Sequence, residues 1–118
     1  MVAVMSPITT HVLDTRTGRP AAGIEITLSQ MGPDGAWQEM ATGETDADGR
    51  IRDLLASDAK LQPGVYRMVF ATGDYFSGQG LTGFYPSVPV IFELQDMDSH
   101  YHIPLLLSPF GYSTYRGS

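Results

Sequence analysis

The chain has 118 residues and no cysteine, so a single domain over 1–118 is expected, without disulfides, thiolate metal sites or a cysteine nucleophile. Its net charge is −6, with 7 basic against 13 acidic residues, which argues against the clustered positive surface of a nucleic-acid binder. No run approaches the ~20 apolar residues of a membrane span, and the opening "MVAVMSPITT" has neither Lys nor Arg to suggest a signal peptide. A cytoplasmic location is therefore expected, unless a trimmed presequence directs the protein to a peroxisome or periplasm.

Residues 1–7 are expected to be a flexible N-terminus. "ITTHVLD" (Ile8 to Asp14) is a short strand candidate, followed by a turn with Gly18 and Pro20. "IEITLSQ" (Ile24 to Gln30) alternates, with Ile24, Ile26 and Leu28 on one face and Glu25, Thr27 and Ser29 on the other. That period of two marks a half-buried strand. "GPDG" then leads to "WQEMAT" (Trp37 to Thr42), and "DADG" to "RIRDL" (Arg50 to Leu54). "GVYRMVFA" (Gly64 to Ala71), "VPVIFEL" (Val88 to Leu94) and "HYHIPLLL" (His100 to Leu107) are rich in β-branched and aromatic residues, and "GYSTY" (Gly111 to Tyr115) is a last candidate. Thr72 to Pro86 is long for a hairpin connection. Thr72 or Asp74 is expected to cap a single helical turn there, kept short by Gly78 and Gly80. About eight short strands and one short helix predict an all-β antiparallel sandwich.

Several motifs carry chemistry. Glu44, Asp46, Asp48 and Gly49 match the opening of a calcium loop, but Leu55 stands where the closing bidentate glutamate belongs. An Asp-Gly turn between strands is the simpler reading, and it places Arg50 at the start of the next strand. His100 and His102 are two apart on a strand and so share a face. With His11 they would make a three-histidine metal site. Each could equally be a hydrogen-bonded strand residue, or a general acid or base, since imidazole titrates near working pH. No serine lies in a Gly-x-Ser-x-Gly elbow, and there is no phosphate loop or dinucleotide fingerprint. Pattern alone reaches a sandwich with isolated polar residues and names no reaction.

From Val12 to Phe70, "VLDTRTGRPAAGIEITL", "TGETDADGRIRDL" and "QPGVYRMVF" resemble the prealbumin-like sandwich, a pattern also similar to carboxypeptidase regulatory domains and adhesin stalk repeats. The second half is more specific. "TGDYF", "FYP" and "HYHIPLLLSPFGYSTYRGS" with its final YRGS resemble the 5-hydroxyisourate hydrolases, the transthyretin-related proteins of purine breakdown. The resemblance runs from about Ile8 to Ser118. It implies a prealbumin-like (transthyretin-like) sandwich. The implied reaction is hydrolysis of 5-hydroxyisourate to 2-oxo-4-hydroxy-4-carboxy-5-ureidoimidazoline by histidine-assisted attack of water. By the same resemblance His11, Arg50, His102 and Ser118 are catalytic, and His11, Arg50, Tyr115, Arg116, Gly117 and Ser118 hold the substrate. His100 is then a neighbour or support of His102. No metal or organic cofactor is implied. The implied assembly is a homotetramer, a dimer of dimers with sites at the dimer–dimer interface. The alternative is a non-catalytic carrier or interaction module on the same fold. Transthyretin, the hormone carrier that this fold resembles, lacks the YRGS end and this histidine set.

Overall fold

A computed structural model describes residues 6–118. In chain order they form β1 (Ile8–Asp14), β2 (Arg19–Pro20), β3 (Glu25–Met31), β4 (Trp37–Glu44), β5 (Arg50–Ile51), β6 (Gly64–Phe70), α1 (Thr72–Ser77), β7 (Val88–Leu94), β8 (Tyr101–Ser108) and β9 (Gly111–Thr114). Two sheets result. One runs β2-β1-β8-β9, with β5 also paired to β1, and the other runs β4-β3-β6-β7. This is the expected sandwich, with β2 added where only a turn was predicted.

Pairing is antiparallel throughout except between β1 and β8, which run parallel from Ile8 opposite Tyr101 to Asp14 opposite Leu107. A parallel pair needs a long crossover. Here the crossover contains the whole second sheet, so β1 and β8 enter the first sheet from the same end.

The alternation in the sequence becomes the two faces of each sheet. Ile8 and Val12 of β1, Ile26 and Leu28 of β3, Tyr66, Met68 and Phe70 of β6, and Leu105 and Leu107 of β8 are buried between the sheets. Each such side chain stabilises the fold by roughly 1.5–3 kcal/mol relative to exposure. Thr9 and His11 of β1 alternate with these residues, as do His102 and Pro104 of β8, and so they point to the outer face of the first sheet.

Helix α1 is clipped to β1 through a buried acid. Asp14 accepts from the Arg16 amide at 2.9 Å and from the Tyr75 hydroxyl at 2.8 Å. Burial and then the bond to Asp14 push the Tyr75 phenol above its ordinary titration range. The helix has Ala71 at its N-cap and no side-chain cap. Neither Thr72 nor Asp74 caps it, because the Thr72 hydroxyl turns instead to the Tyr85 carbonyl at 3.2 Å, tying the helix to the segment that enters β7. Tyr75→Phe would leave a buried carboxylate oxygen without its donor. It is expected to destabilise the fold by about 1–3 kcal/mol in urea titrations. An unchanged midpoint would show that the clip contributes nothing.

Of the N-terminal stretch expected to be flexible, residues 1–5 lie outside the described residues. Ser6 is buried. Its Oγ donates to the Ile8 carbonyl at 2.6 Å and accepts from the Leu55 amide at 3.1 Å. No helix among the described residues is long and apolar enough to cross a membrane.

Candidate active site

Three strands bring the polar residues together on the outer face of the first sheet. Register puts Thr9 opposite His102 across β1 and β8, and His11 opposite Pro104. On the other side of β1, His11 is opposite Arg50 of β5. Period two then places Thr9, His11, Arg50 and His102 on one surface.

Arg50 is held there by its turn. Asp46 Oδ1 accepts the amides of Asp48 at 2.9 Å and Arg50 at 3.0 Å, and the Arg50 carbonyl accepts from the Asp46 amide at 2.9 Å. These bonds make the segment an Asp-Gly turn, and they occupy the oxygen that a calcium loop would use as a ligand. Gly49 has φ +74°, and its carbonyl accepts from the Val12 amide at 2.8 Å. A Cβ there would lie 2.5 Å from the Val12 carbonyl oxygen, so only glycine lets the turn close on β1.

The end of the chain forms the remaining wall. Beyond β9 the tail continues along β8, and the Gly117 amide donates to the His102 carbonyl at 2.9 Å. A Cβ on Gly117 would be 2.5 Å from His102 Cδ2 and 3.1 Å from Pro104 Cγ, so the glycine backbone lies against the imidazole. Ser118 follows it into a cavity of about 130 Å³ that Thr9, Arg50, His100 and His102 also line.

The tail is divided between two cavities. Arg116 turns toward Tyr101, its Cζ 4.6 Å from the centre of that ring, a cation–π contact. Tyr115 and Arg116 line a larger cavity of about 420 Å³, bounded by β7 on one side and β8 with the tail on the other. His102 lines both cavities. The smaller one gathers the groups suited to acid–base chemistry, while the larger is mostly apolar wall with Glu93, Asp96 and Arg116 at its margins. His11 shares the outer face but does not line the small cavity.

Electrostatics make both site histidines neutral at neutral pH. His11 is lowered from 6.5 by burial first and by the Arg50 charge second. His102 is lowered from 6.5 by burial, then by Arg50, His100 and His11. Both folded-state values lie below that of an unfolded histidine. The unfolded chain therefore binds more protons as the pH falls. This contribution to stability is complete above pH 6.5 and is lost as the pH drops through the folded-state values. Thermal melts are expected to show Tm declining on acidification below that point. A Tm that rises there would reverse the sign.

Among the described residues no group of three or more His, Asp or Glu is placed to hold a metal ion. His100 Nε2 and His102 Nδ1 both meet the Thr9 hydroxyl, each at 2.9 Å. Thr9 was not singled out in the sequence. The only signal for it was its place two residues before His11, on the same face of a strand.

The model of the HIUase/Transthyretin family matches residues 8–117. The chain belongs to that family. Among its relatives, a 5-hydroxyisourate hydrolase of Salmonella dublin is 49% identical over 111 residues, covering 94% of this chain and 80% of that protein. In structure it is similar to the Klebsiella pneumoniae 5-hydroxyisourate hydrolase, with a TM-score of 0.81 and 36% identity, covering 94% of this chain and 92% of the other. It is also similar to sea bream transthyretin in complex with thyroxine, with a TM-score of 0.90 and 38% identity, covering 95% of each chain. Within the HIUase/Transthyretin family, backbone likeness therefore does not separate enzyme from binding protein. What can separate them is the chemistry of the outer face.

Proposed function

We propose that the protein hydrolyses 5-hydroxyisourate to 2-oxo-4-hydroxy-4-carboxy-5-ureidoimidazoline. The observation that carries this reading is the meeting of a neutral imidazole, a guanidinium and a tail hydroxyl around one cavity: His102, Arg50 and Ser118. The hydrolase relative at 49% identity supports it as well. A domain over 1–118 with this single site is part of the proposal.

Water is a weak nucleophile and must lose a proton as it attacks the ring carbonyl. A lone pair on His102 takes that proton. The oxygen that was the carbonyl becomes negative, and Arg50 faces it with fixed positive charge. Arg50 also presents a planar fork of donors to the polar edge of a flat bicycle. When the tetrahedral intermediate collapses, the carbon–nitrogen bond breaks and the ring nitrogen takes a proton. The imidazolium of His102 supplies it, with His11, beside Arg50, orienting the leaving group. Ser118 and the Gly117 backbone hold the water and the imidazole in line. Tyr115 and Arg116 line the larger cavity instead, so they are left out of the proposed substrate contacts. The chemistry calls for no metal or organic cofactor.

The small cavity holds about 130 Å³, below the roughly 300–1,000 Å³ of a ligand pocket. A second subunit is needed to close over it. Among the described residues the outward edges of β7 and β9 have no strand partner, and Phe110, Tyr112 and Tyr115 are exposed large apolar groups near β9. Exposed edges invite strand pairing with another copy. The proposed assembly is a homotetramer in which these edges form dimers and the outer faces of the first sheets join two dimers over the sites. Sedimentation at falling concentration is expected to show activity lost with the tetramer. A fully active monomer would remove the composite site.

The direct test of function follows ultraviolet absorbance of freshly made 5-hydroxyisourate. Wild-type protein should accelerate its decay well beyond the buffer rate. Decay at the buffer rate, with the ligand merely bound, would make the protein a carrier. Activity should also fall below pH 6.5 as the imidazoles take up protons, because the lone pair is then occupied.

A further inference from the structure

One buried hydroxyl stands between the two histidines of β8 and its approach. Thr9 is 5% exposed and lies directly opposite His102. Its Oγ1 is 2.9 Å from Nε2 of His100 and 2.9 Å from Nδ1 of His102. A hydroxyl has one proton to give and two lone pairs to receive with, and a neutral imidazole carries hydrogen on only one nitrogen. The two ring tautomers are therefore not independent.

We propose that Thr9 is a positioning residue that donates to His100 Nε2 and accepts from His102 Nδ1–H, holding His102 in the tautomer whose Nε2 lone pair is free to take a proton. This rests on the hydrolase reading, in which His102 is the base.

The alternatives are worse. If the hydroxyl donates to His102 Nδ1, the hydrogen of His102 sits on Nε2 and that nitrogen is no base. The ring also borders a cavity that Arg50 and Arg52 line, where nearby positive charge favours a lone pair over a donor. His11 and His100 are the other titratable groups acting on His102. If both histidines donate to Thr9, the hydroxyl proton needs a third acceptor, and every hydrogen bond of this hydroxyl described above is to a histidine. In the proposed arrangement each proton has a place. His100 is exposed, so its Nδ1–H is free to donate to water. When a water proton reaches His102 Nε2, the Nδ1–H bond to Thr9 stays in place and becomes charge-assisted, with no hydroxyl rotation. Threonine on an outer strand face would otherwise serve only as a β-former.

The test uses the intact protein at pH 8. Long-range proton–nitrogen NMR of the imidazoles reads the tautomers without reference to turnover. Wild type should carry hydrogen on Nδ1 of both His100 and His102. Thr9→Val keeps the shape and removes the hydroxyl, so His102 should move toward the Nε2–H form with kcat falling about 10²-fold and KM little changed. Thr9→Ser should restore both the tautomer and most of the rate, which a purely packing role would not require. Nε2–H on His102 in wild type would overturn the proposal, as would Thr9→Val with unchanged tautomer and kcat. If Thr9→Val is poorly folded, the wild-type and Thr9→Ser spectra still decide the tautomer. If wild type does not turn over 5-hydroxyisourate, the hydrolase reading falls, while the spectra still show whether Thr9 sets the ring.

Discussion

His102→Asn is expected to lower kcat for 5-hydroxyisourate about 10²–10⁴-fold, the range that a positioned general base contributes. The reason is geometric. Of the two site histidines, only His102 lines the cavity shared with Arg50 and Ser118. Asparagine keeps a polar group beside Gly117 and Thr9 but has no lone pair that can take a proton near neutral pH. The loss should fall on kcat more than on KM, because proton transfer occurs in the transition state and not on binding. The acid limb of the residual rate should also change, because the titrating imidazole is gone. His11→Ala tests the same assignment from the other side. It removes a group placed to serve the leaving nitrogen and substrate contact, so its loss should be smaller and divided between kcat and KM. Equal kinetics in the two variants would mean that His102 is not the base.

Gly117→Ala is expected to be the most damaging single-methyl change in the tail. The added carbon would lie 2.5 Å from His102 Cδ2 and 3.2 Å from His102 Cγ. The backbone of Gly117 is not in the left-handed region, so alanine suits its dihedrals and the effect is steric alone. Either the tail lifts and the bond from Gly117 N to the His102 carbonyl breaks, or the imidazole rotates away from Thr9. Both misplace a reacting group by about an ångström, which costs on the order of 10²-fold in rate. The core does not depend on this contact. The added methyl meets His102 and Pro104 on the outer face rather than the buried side chains between the sheets, so the melting temperature should hardly move. A variant with wild-type kcat/KM would show that the tail does not position the site. A variant that unfolds would show that it holds more of the fold than its surroundings suggest.

Much of this was legible in the sequence because local patterns carried it. The alternation of Ile24, Ile26 and Leu28 against Glu25 and Thr27 announced one buried face, although Ser29, expected opposite it, is also buried after a register shift at Leu28/Ser29. The Asp-Gly turn announced where Arg50 would emerge. His100 and His102, two apart, had to share a side. What escaped depended on pairing between distant segments. Nothing near Ile8 says that β1 runs parallel to β8, yet that register sets Thr9 opposite His102. Thr9 itself looked like an ordinary strand residue. The tail looks like four neighbouring groups in the sequence, but its groups are divided between two cavities: Arg116 stacks on Tyr101 while Ser118 reaches the small cavity. The cap of α1 failed for a similar reason, since Thr72 found a tertiary partner in the Tyr85 carbonyl.

The most direct measurement is a crystal structure of the assembled protein with a stable oxidised purine that cannot be hydrolysed. The flat ligand should lie between two subunits with its polar edge on Arg50, a ring carbonyl within reach of a water held by His102 Nε2, and Gly117–Ser118 along its side. A ligand seated instead in the larger cavity by Tyr101 and Arg116, or a Ser118 far from every His102, would contradict the account.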